Sequence, residues 1–276
     1  MTQLPLTDFT LEKKTLSNHH YPLAQSLEPY RHLIEQHETT FIELVPQVLN
    51  THRSGKHSIL DSKIGGLPYL KEIYDYPLDR EGKMMKLVAQ INFNWLHDLG
   101  LIDKHSIFPH QGLLQFFIPA KFPWGGTLEQ DSAVIYHENT SEASVSNEEI
   151  ALISHNYEEF PVSEEHAFLS ATLFKEYCGL TNREFDRVFG DIDLTDEIFD
   201  GFNQFSNGGC KIGGYPDVVD TDDVRPENAD ILLLQIDSTA NGSICWGDAG
   251  VAQFFIPREA LIKKDFNQAF FTWNCS

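Results

Sequence analysis

Residues 63–70 read KIGGLPYL, and residues 211–218 read KIGGYPDV. The segments downstream of each phrase also recur, in the same order. MKLVAQINFNWL (85–96), GLLQFFIPA (112–120) and SAVIYHE (132–138) come after the first. DILLLQIDS (230–238), GVAQFFIPR (250–258) and QAFFTWNC (268–275) come after the second. The offset is 148 for Lys63 and Lys211, 145 for Gln90 and Gln235, and 138 for Gln115 and Gln253. Shorter connections in the second copy account for the drift. Each copy reads as a Gly-Gly turn followed by three strands, because the apolar runs are short, aromatic and β-branched. The links are too short for helical crossovers, so the strands are expected to pair mostly antiparallel. Gly65, Gly66, Gly213 and Gly214 are expected to supply positive φ or a close backbone approach, and the Pro that comes next fixes the exit of the turn. The expected fold class is α+β: two internally duplicated, mostly antiparallel β repeats with a few packing helices. The repeats are expected to bury their faces against one another about an approximate two-fold axis.

Residues 1–276 read as a single domain, with repeat one over about 55–140, an acidic helical connector over about 141–205 and repeat two over about 206–276. Ahead of the first repeat, Leu23, Leu27, Tyr30, Leu33 and Ile34 recur at helical spacing within 23–37. Pro29 either kinks that helix or marks its first turn. TTFIELVPQV (39–48) reads as a strand with Pro46 near its end. In the connector, Ser163 followed by Glu164, Glu165 and His166 reads as a helix start, running through EHAFLSATLFKEYCG to a stop at Gly179. Residues 194–205 read as a second helix with Thr195 as N-cap.

Composition then limits the partners. The chain has 276 residues, 41% of them hydrophobic, enough for a substantial core. Its formal net charge is −21, and no Lys/Arg cluster offsets it. Such a chain repels phosphate backbones and anionic lipid, so neither nucleic acid nor membrane is expected as a partner. From Phe122 to Phe174 there are ten carboxylates and no Lys or Arg. The first residues, MTQLPLTDFTLEKK, lack the charged-then-apolar order of a signal peptide. No apolar stretch reaches membrane-spanning length, and a cytoplasmic location is expected. Cys178, Cys210, Cys245 and Cys275 form no C-x-x-C pair and read as free thiols.

SKIGGLPYL, LVAQINF, GLLQFFI, LLLQIDS, WGDAGVAQFFI and the closing TWNC resemble the YwqG-like proteins, a bacterial domain family of unknown function. Six phrases in one order carry the resemblance over nearly the whole chain. It implies a single α+β domain with internal duplication in a cytoplasmic protein, and it implies no catalytic residue. Relatives tend to carry a Gln-containing GGYP…Q.D.R stretch where this chain has Asp220 and neighbouring acids. Asp223 and Arg225 match the end of that stretch.

The glycine pairs, with Lys63 or Lys211 as counter-charge, could cradle a phosphate. Neither G-x-x-x-x-G-K-[ST] nor G-x-G-x-x-G is present, and RSGKHS (53–58) places His57 where Ser or Thr is needed. A structural turn used twice is the simpler reading. All 12 histidines lie at or before His166, without H-E-x-x-H. DIDLTDE (191–197) and DVVDTDDV (217–224) lack the Gly and Glu of a calcium loop, and read as solvated turns and helix starts. G-x-S-x-G is absent. No metal or cofactor is expected. Trp124 in KFPWGG, and Trp246 with Asp248 in CWGDAG, stand beside glycines that could expose a flat ring to a ligand. The competing reading is a Trp buried against the sheet.

Two functional classes fit these features. The first is a binding or interaction module, for a protein partner or a small ligand between the repeats, with the acidic belt favouring a basic partner. The alternative is a small-molecule enzyme with its site at the repeat interface. There Gln90, Asn92, Gln115, Gln235, Asp237 and Gln253 would converge on a cleft; in a purely structural role they would satisfy backbone groups at strand ends. The candidate ligand-binding residues are Lys63, Gly65, Gly66, Gln90, Trp124, Lys211, Gly213, Gly214, Gln235, Trp246 and Asp248. No catalytic residue is assigned.

Overall fold

The computed structural model describes residues 23–49, 58–122, 131–141, 144–146, 148–150, 160–180, 182–218 and 225–275. Ten strands form one sheet. They are β1 Thr39–Val48, β2 Lys63–Ile64, β3 Met85–Asn92, β4 Leu113–Pro119, β5 Ala133–His137, β6 His166–Glu176, β7 Lys211–Gly213, β8 Ile231–Asp237, β9 Val251–Ile256 and β10 Phe270–Asn274. The order across the sheet is β10-β9-β8-β7-β1-β6-β2-β3-β4-β5. Every neighbouring pair is antiparallel.

The central pair is β1 and β6, and from it the two halves run outward alike. Lys63 pairs with Gln90 and Gln90 with Gln115; Lys211 pairs with Gln235 and Gln235 with Gln253. The ladder slips between Leu87 and Ala89 on β3, and between Leu232 and Leu234 on β8. These two irregularities stand at the same 145-residue offset as Gln90 and Gln235. LVAQINF and LLLQIDS are thus each the second strand outward from the central pair of the one sheet, in like register with their neighbours. Bulges of this kind bend a strand and raise its local twist.

That bending closes the sheet on itself. Laid flat, β9 and β4 would lie seven strand spacings apart, roughly 33 Å at about 4.8 Å each. The rings of Phe254 on β9 and Phe116 on β4 are 4.9 Å apart. Alternate residues of both strands point into this concave core, which gathers Leu114, Phe116 and Ile118 with Ala252, Phe254 and Ile256. The edges β5 and β10 are not paired to one another. Side chains fill the seam instead: Tyr136 packs on Phe266 at 5.2 Å, Phe122 on Trp273 at 5.3 Å, and Lys264 bonds Glu138.

The 23–37 helix is a 3-10 turn, Gln25–Tyr30, running into an α-helix, Arg31–Gln36, with Pro29 inside the 3-10 segment. The strand expected at 39–48 has those bounds, and its ladder slips at Val45/Pro46, where Pro offers no N–H. The helix expected from 163 to 179 is a correction. His166–Glu176 is β6, the partner of β1 along its whole length. Phe168, Leu169, Ala171, Leu173 and Phe174 would spread around a helix rather than form one stripe, so no helical face could be buried. Pairing on β1 overrides the helix propensity of Ala, Leu, Lys and Glu. The connector is thus not purely helical; it supplies half of the central strand pair. Its described helices include Arg183–Phe189 and Asp196–Phe202. Thr195 takes the N-cap position of the second without a side-chain cap bond. Phe185, Phe189 and Phe202 meet at 4.9–5.0 Å and form, with Leu27, Ile34 and Tyr177, a second core. Among the described residues no helix is long and apolar enough to cross a membrane.

Candidate functional site

Four glutamines explain why the KIGG phrase is needed twice. On β3, β4, β8 and β9 the side chains facing away from the concave core include Gln90, Gln115, Gln235 and Gln253, all buried. A buried amide must find partners. Gln90 Nε2 donates to the carbonyls of Ile59 and Asp61, at 2.7 and 2.8 Å. Gln235 Nε2 donates to those of Asn207 and Gly209, at 2.9 and 3.0 Å. Beyond the turns, Gln115 Nε2 donates to Tyr69 O and Gln90 Oε1 (3.0 and 3.1 Å), and Gln253 Nε2 to Asp217 O and Gln235 Oε1 (2.6 and 2.9 Å). Each Gln pair therefore clamps the chain before and after one KIGG turn onto the outer face of the sheet. These side chains satisfy backbone groups and have almost no exposed surface.

The turn residues are fixed as tightly. Gly65, Gly66, Gly213 and Gly214 all have φ between 71° and 77°. The Lys63 ammonium lies 3.1 Å from Glu165, and Lys211 lies 3.0 and 2.9 Å from the two oxygens of Glu176. Both ammonium groups are engaged by carboxylates rather than left for a phosphate. The carboxylates also fill the space where a Cβ on Gly66 or Gly214 would stand. Gly214→Ala is therefore expected to cost about 1 kcal/mol or more. Gly82 has φ 76° with nothing within 4 Å of its Cβ position, so Gly82→Ala isolates the backbone cost. Denaturant midpoints should fall further for Gly214→Ala than for Gly82→Ala; equal shifts would show that the Glu176 contact adds nothing.

The halves diverge in charge. Where the first has Tyr69 and Asn92, the second has Asp217 and Asp237. Asn92 caps the helix Phe93–Asp98 and donates to Leu60 O at 3.0 Å. Asp237 instead accepts the Gly209 N–H at 2.5 Å. Asp217 and Asp237 each bring an oxygen to the same side of Gly208, 3.4 Å from where its Cβ would be. Burial raises both carboxyl pKa values, and the charge of Asp237 raises that of Asp217 further. Glu176 is buried with the fully buried Lys211 and also accepts the Tyr215 N–H at 2.6 Å and Asn207 Nδ2 at 3.1 Å. Burial pushes the Glu176 carboxyl up and the Lys211 ammonium down, and each is partly offset by the other. One ammonium thus sits among three carboxylates.

Beside Glu176 opens a cavity of about 90 Å³, lined by Phe41, Glu176, Tyr177, Gln204, Phe205 and Ser206. β1 supplies Phe41, the end of β6 supplies Glu176 and leads into Tyr177, and the segment after Asp196–Phe202 supplies the rest. Phe41 already holds one cation, with Lys211 Nζ 4.9 Å from its ring centre. Tyr177 and Phe205 meet at 5.1 Å. The Tyr177 hydroxyl is buried without a hydrogen-bond partner among the described residues. Glu176 already accepts four hydrogen bonds, which is the capacity of a carboxylate.

The other sequence candidates fall elsewhere. Trp246 is fully buried, against Phe122 at 5.7 Å and Phe271 at 6.3 Å, so it presents no ring to a ligand. Asp248 is exposed on the adjoining turn. Trp124 lies outside the described residues, as do Asp220, Asp223 and most of RSGKHS. Arg225 is buried, 2.8 Å from Glu184 and over the Phe255 ring at 5.0 Å. Among the described residues no three His, Cys, Asp or Glu side chains are placed to hold a metal. Sequence reasoning missed Phe41, Glu176, Tyr177 and Phe205. Two of these lie in the stretch expected to be helical, and only the β1–β6 pairing brings them together with Phe41.

Two buried histidines set a pH dependence. His137 Nε2 is 3.0 Å from Gln115 Oε1, whose amide nitrogen is already donating, so His137 is the donor. His166 Nε2 is 2.9 Å from Ser243 Oγ. Burial lowers both pKa values below the ordinary value of 6.5. A depressed folded pKa favours the neutral form, so this stability is present above about pH 6.5 and is lost as pH falls below it. Asp217 and Asp237, with raised pKa values, act in the opposite sense at lower pH. The denaturant midpoint is expected to drop between about pH 7.5 and 5.5, and His166→Gln should flatten that drop. An unchanged pH profile in that variant would remove His166 from the account.

Residues 62–275 match the family model described as Domain of unknown function (DUF1963). The chain belongs to this family. The DUF1963 span takes in both KIGG turns, both Gln clamps and Glu176, and leaves β1, with Phe41, outside it. No curated protein matches the chain.

Proposed function

We propose that this DUF1963 chain is a binding module that receives one basic group, the tip of a partner's side chain or a small amine, in the cavity beside Glu176. The observation that carries this reading is an aromatic-walled cavity next to one ammonium outnumbered by three carboxylates. At about 90 Å³ it is well below the roughly 300–1,000 Å³ of drug-sized sites, so it suits a single head group. Aromatic faces attract cations by about 0.5–2 kcal/mol each. Glu176 is saturated, so it holds the cavity's shape while the surrounding negative field selects the sign of the ligand. The net charge of −21 adds long-range attraction for a basic partner, screened beyond roughly 8 Å at physiological salt. It argues against nucleic acid and anionic membrane as partners. The matching strand orders and registers of the two halves support two copies of one unit in a single domain, in a cytoplasmic protein that resembles the YwqG-like family.

Calorimetric titration with a lysine-rich and a glutamate-rich peptide of equal length tests the proposal. Only the lysine-rich peptide is expected to bind, with affinity falling as salt rises. Phe205→Ala should weaken it about 2- to 30-fold, the worth of one cation–π contact. Binding of both peptides alike, or binding indifferent to Phe205, would overturn it. A second reading rests on Asp217 and Asp237. Two half-buried carboxylates whose pKa values are raised by burial, that of Asp217 also by the charge of Asp237, are suited to general acid–base work on a small molecule. Turnover lost in Asp237→Asn while peptide binding persists would favour that reading.

A further inference from the structure

We propose that Cys245 and Cys275 form a thiol pair that hydrogen peroxide joins into a disulfide. Cys275 comes directly after β10 and stands beside Gly250 across the end of the β9–β10 ladder. Cys245 begins the turn that carries Trp246 and Asp248. Each sulfur lies close to Gly247 of that turn. Cys245 Sγ lies 3.3 Å from Gly247 O, and a Cβ on Gly247 would lie 2.7 Å from Cys275 Sγ. Glycine at 247 and at 250 is what lets the last strand approach so closely: a Cβ at 250 would collide with Asn274 O and with Cys275 Cβ. Within the turn Ala249 is held at φ 54°, a left-handed conformation that costs a non-glycine residue energy. The turn is therefore strained and bounded by solvent, while the strand beneath it is fixed. Crosslinking then requires the exposed Cys245 side chain to rotate and this turn to shift toward Cys275.

Cys245 is exposed, and Cys275 is half-buried behind it. Peroxide meets Cys245 first. The Cys245 thiolate attacks one peroxide oxygen, the O–O bond breaks, and the departing hydroxide takes up the proton the thiol had released and leaves as water, so that the sulfur carries a hydroxyl as a sulfenic acid. The Cys275 thiolate then attacks that sulfur, the S–O bond breaks, and the hydroxide leaves as a second water with the proton the Cys275 thiol had released. Two thiols are oxidised to one disulfide, and one peroxide is reduced to two waters. Cys178 and Cys210 are buried thiols, and burial raises the pKa of Cys210 to about 12. They remain reduced as internal references.

The test treats the full chain with hydrogen peroxide, removes the peroxide, blocks free thiols by alkylation in denaturant and maps the peptides by mass spectrometry. The expected product has lost two hydrogens, carries a Cys245–Cys275 crosslink that dithiothreitol reverses, and leaves Cys178 and Cys210 alkylated. In Cys275→Ser the sulfenic acid at Cys245 should persist and be trapped by dimedone. Cys245→Ser, a change at an exposed position, should leave Cys275 alkylatable after the same treatment. Alkylation of all four cysteines in the treated wild type, or over-oxidation of Cys245 with Cys275 still free, would overturn the proposal.

Discussion

Lys211→Met is expected to lower the unfolding free energy by about 3–5 kcal/mol, the usual cost of removing one partner from a buried ion pair. Lys211 is fully buried and gives Glu176 two of its four hydrogen bonds. Without it, Glu176 keeps only the Tyr215 N–H and Asn207 Nδ2, and its charge is left without compensation. The cost should shrink on acidification, because a carboxyl with a raised folded pKa binds its proton more tightly when folded. Glu176→Gln in the Lys211→Met background keeps the shape and the acceptor for Tyr215 while removing the orphaned charge. The double variant should therefore recover a large part of the loss. The cycle of wild type, two single variants and the double variant gives the coupling directly from denaturant curves. A Lys211→Met midpoint close to wild type, or a double variant as unstable as the sum of the singles, would sink this account. The second outcome would place the stability in the packing of the Lys211 stem rather than in its charge. Gly214 connects this pair to the turn, since Glu176 stands where its Cβ would be.

Local and periodic features were legible in the sequence; long-range ones were not. LVAQINF, LLQFFIP, LLLQIDS and VAQFFI are short apolar runs rich in aromatic and β-branched residues, joined by links too short for helical crossovers, and the structure has strands there. The four glycines of the two turns announced positive φ, because no other residue tolerates it at so little cost. The order of strands could not be read, since the sheet centre comes from β1 and β6, two segments that look nothing like the phrases. β6 was hidden by its composition: Ala, Leu, Lys and Glu favour helix until a partner strand is available. Even the helix Arg183–Phe189 left a trace, with Asn182 accepting from the Glu184 N–H as its cap and Gly190 after its end. At the site, the glutamines stand out in the sequence as a set. Whether they face a ligand or a backbone depends on segments 59–61 and 207–209 folding over them. The charge divergence between Asn92 and Asp237 is visible in the aligned phrases. The cavity is not, because Phe41, Glu176 and Phe205 are spread over three segments.

Trp246→Ala is expected to cost about 3–5 kcal/mol, the range for truncating a large buried aromatic. Trp246 has no exposed surface and touches Phe122 edge-on and Phe271 at a tilt. Phe122 in turn meets Trp273, so this cluster joins the end of the first half to β10 across the seam of the curled sheet. Among the described residues no strand pairing closes that seam, and the aromatic cluster stands in for it. Cavity creation at Trp246 should therefore loosen both edges as well as lose apolar contact. Trp246→Phe makes a sharper test. It removes part of the ring, yet it also removes an indole N–H that is buried without a partner among the described residues. An unsatisfied buried donor costs about 1–3 kcal/mol, so the smaller ring recovers much of what its lost volume forfeits. The expected order of denaturant midpoints is wild type near Trp246→Phe, and both well above Trp246→Ala. Tyr74→Ala, at a residue 91% exposed, should leave the midpoint unchanged and serves as the reference. If Trp246→Ala behaved like Tyr74→Ala, the seam would be held by something other than this cluster. If Trp246→Phe fell as far as Trp246→Ala, ring volume alone would govern the site and the orphan N–H would carry no cost.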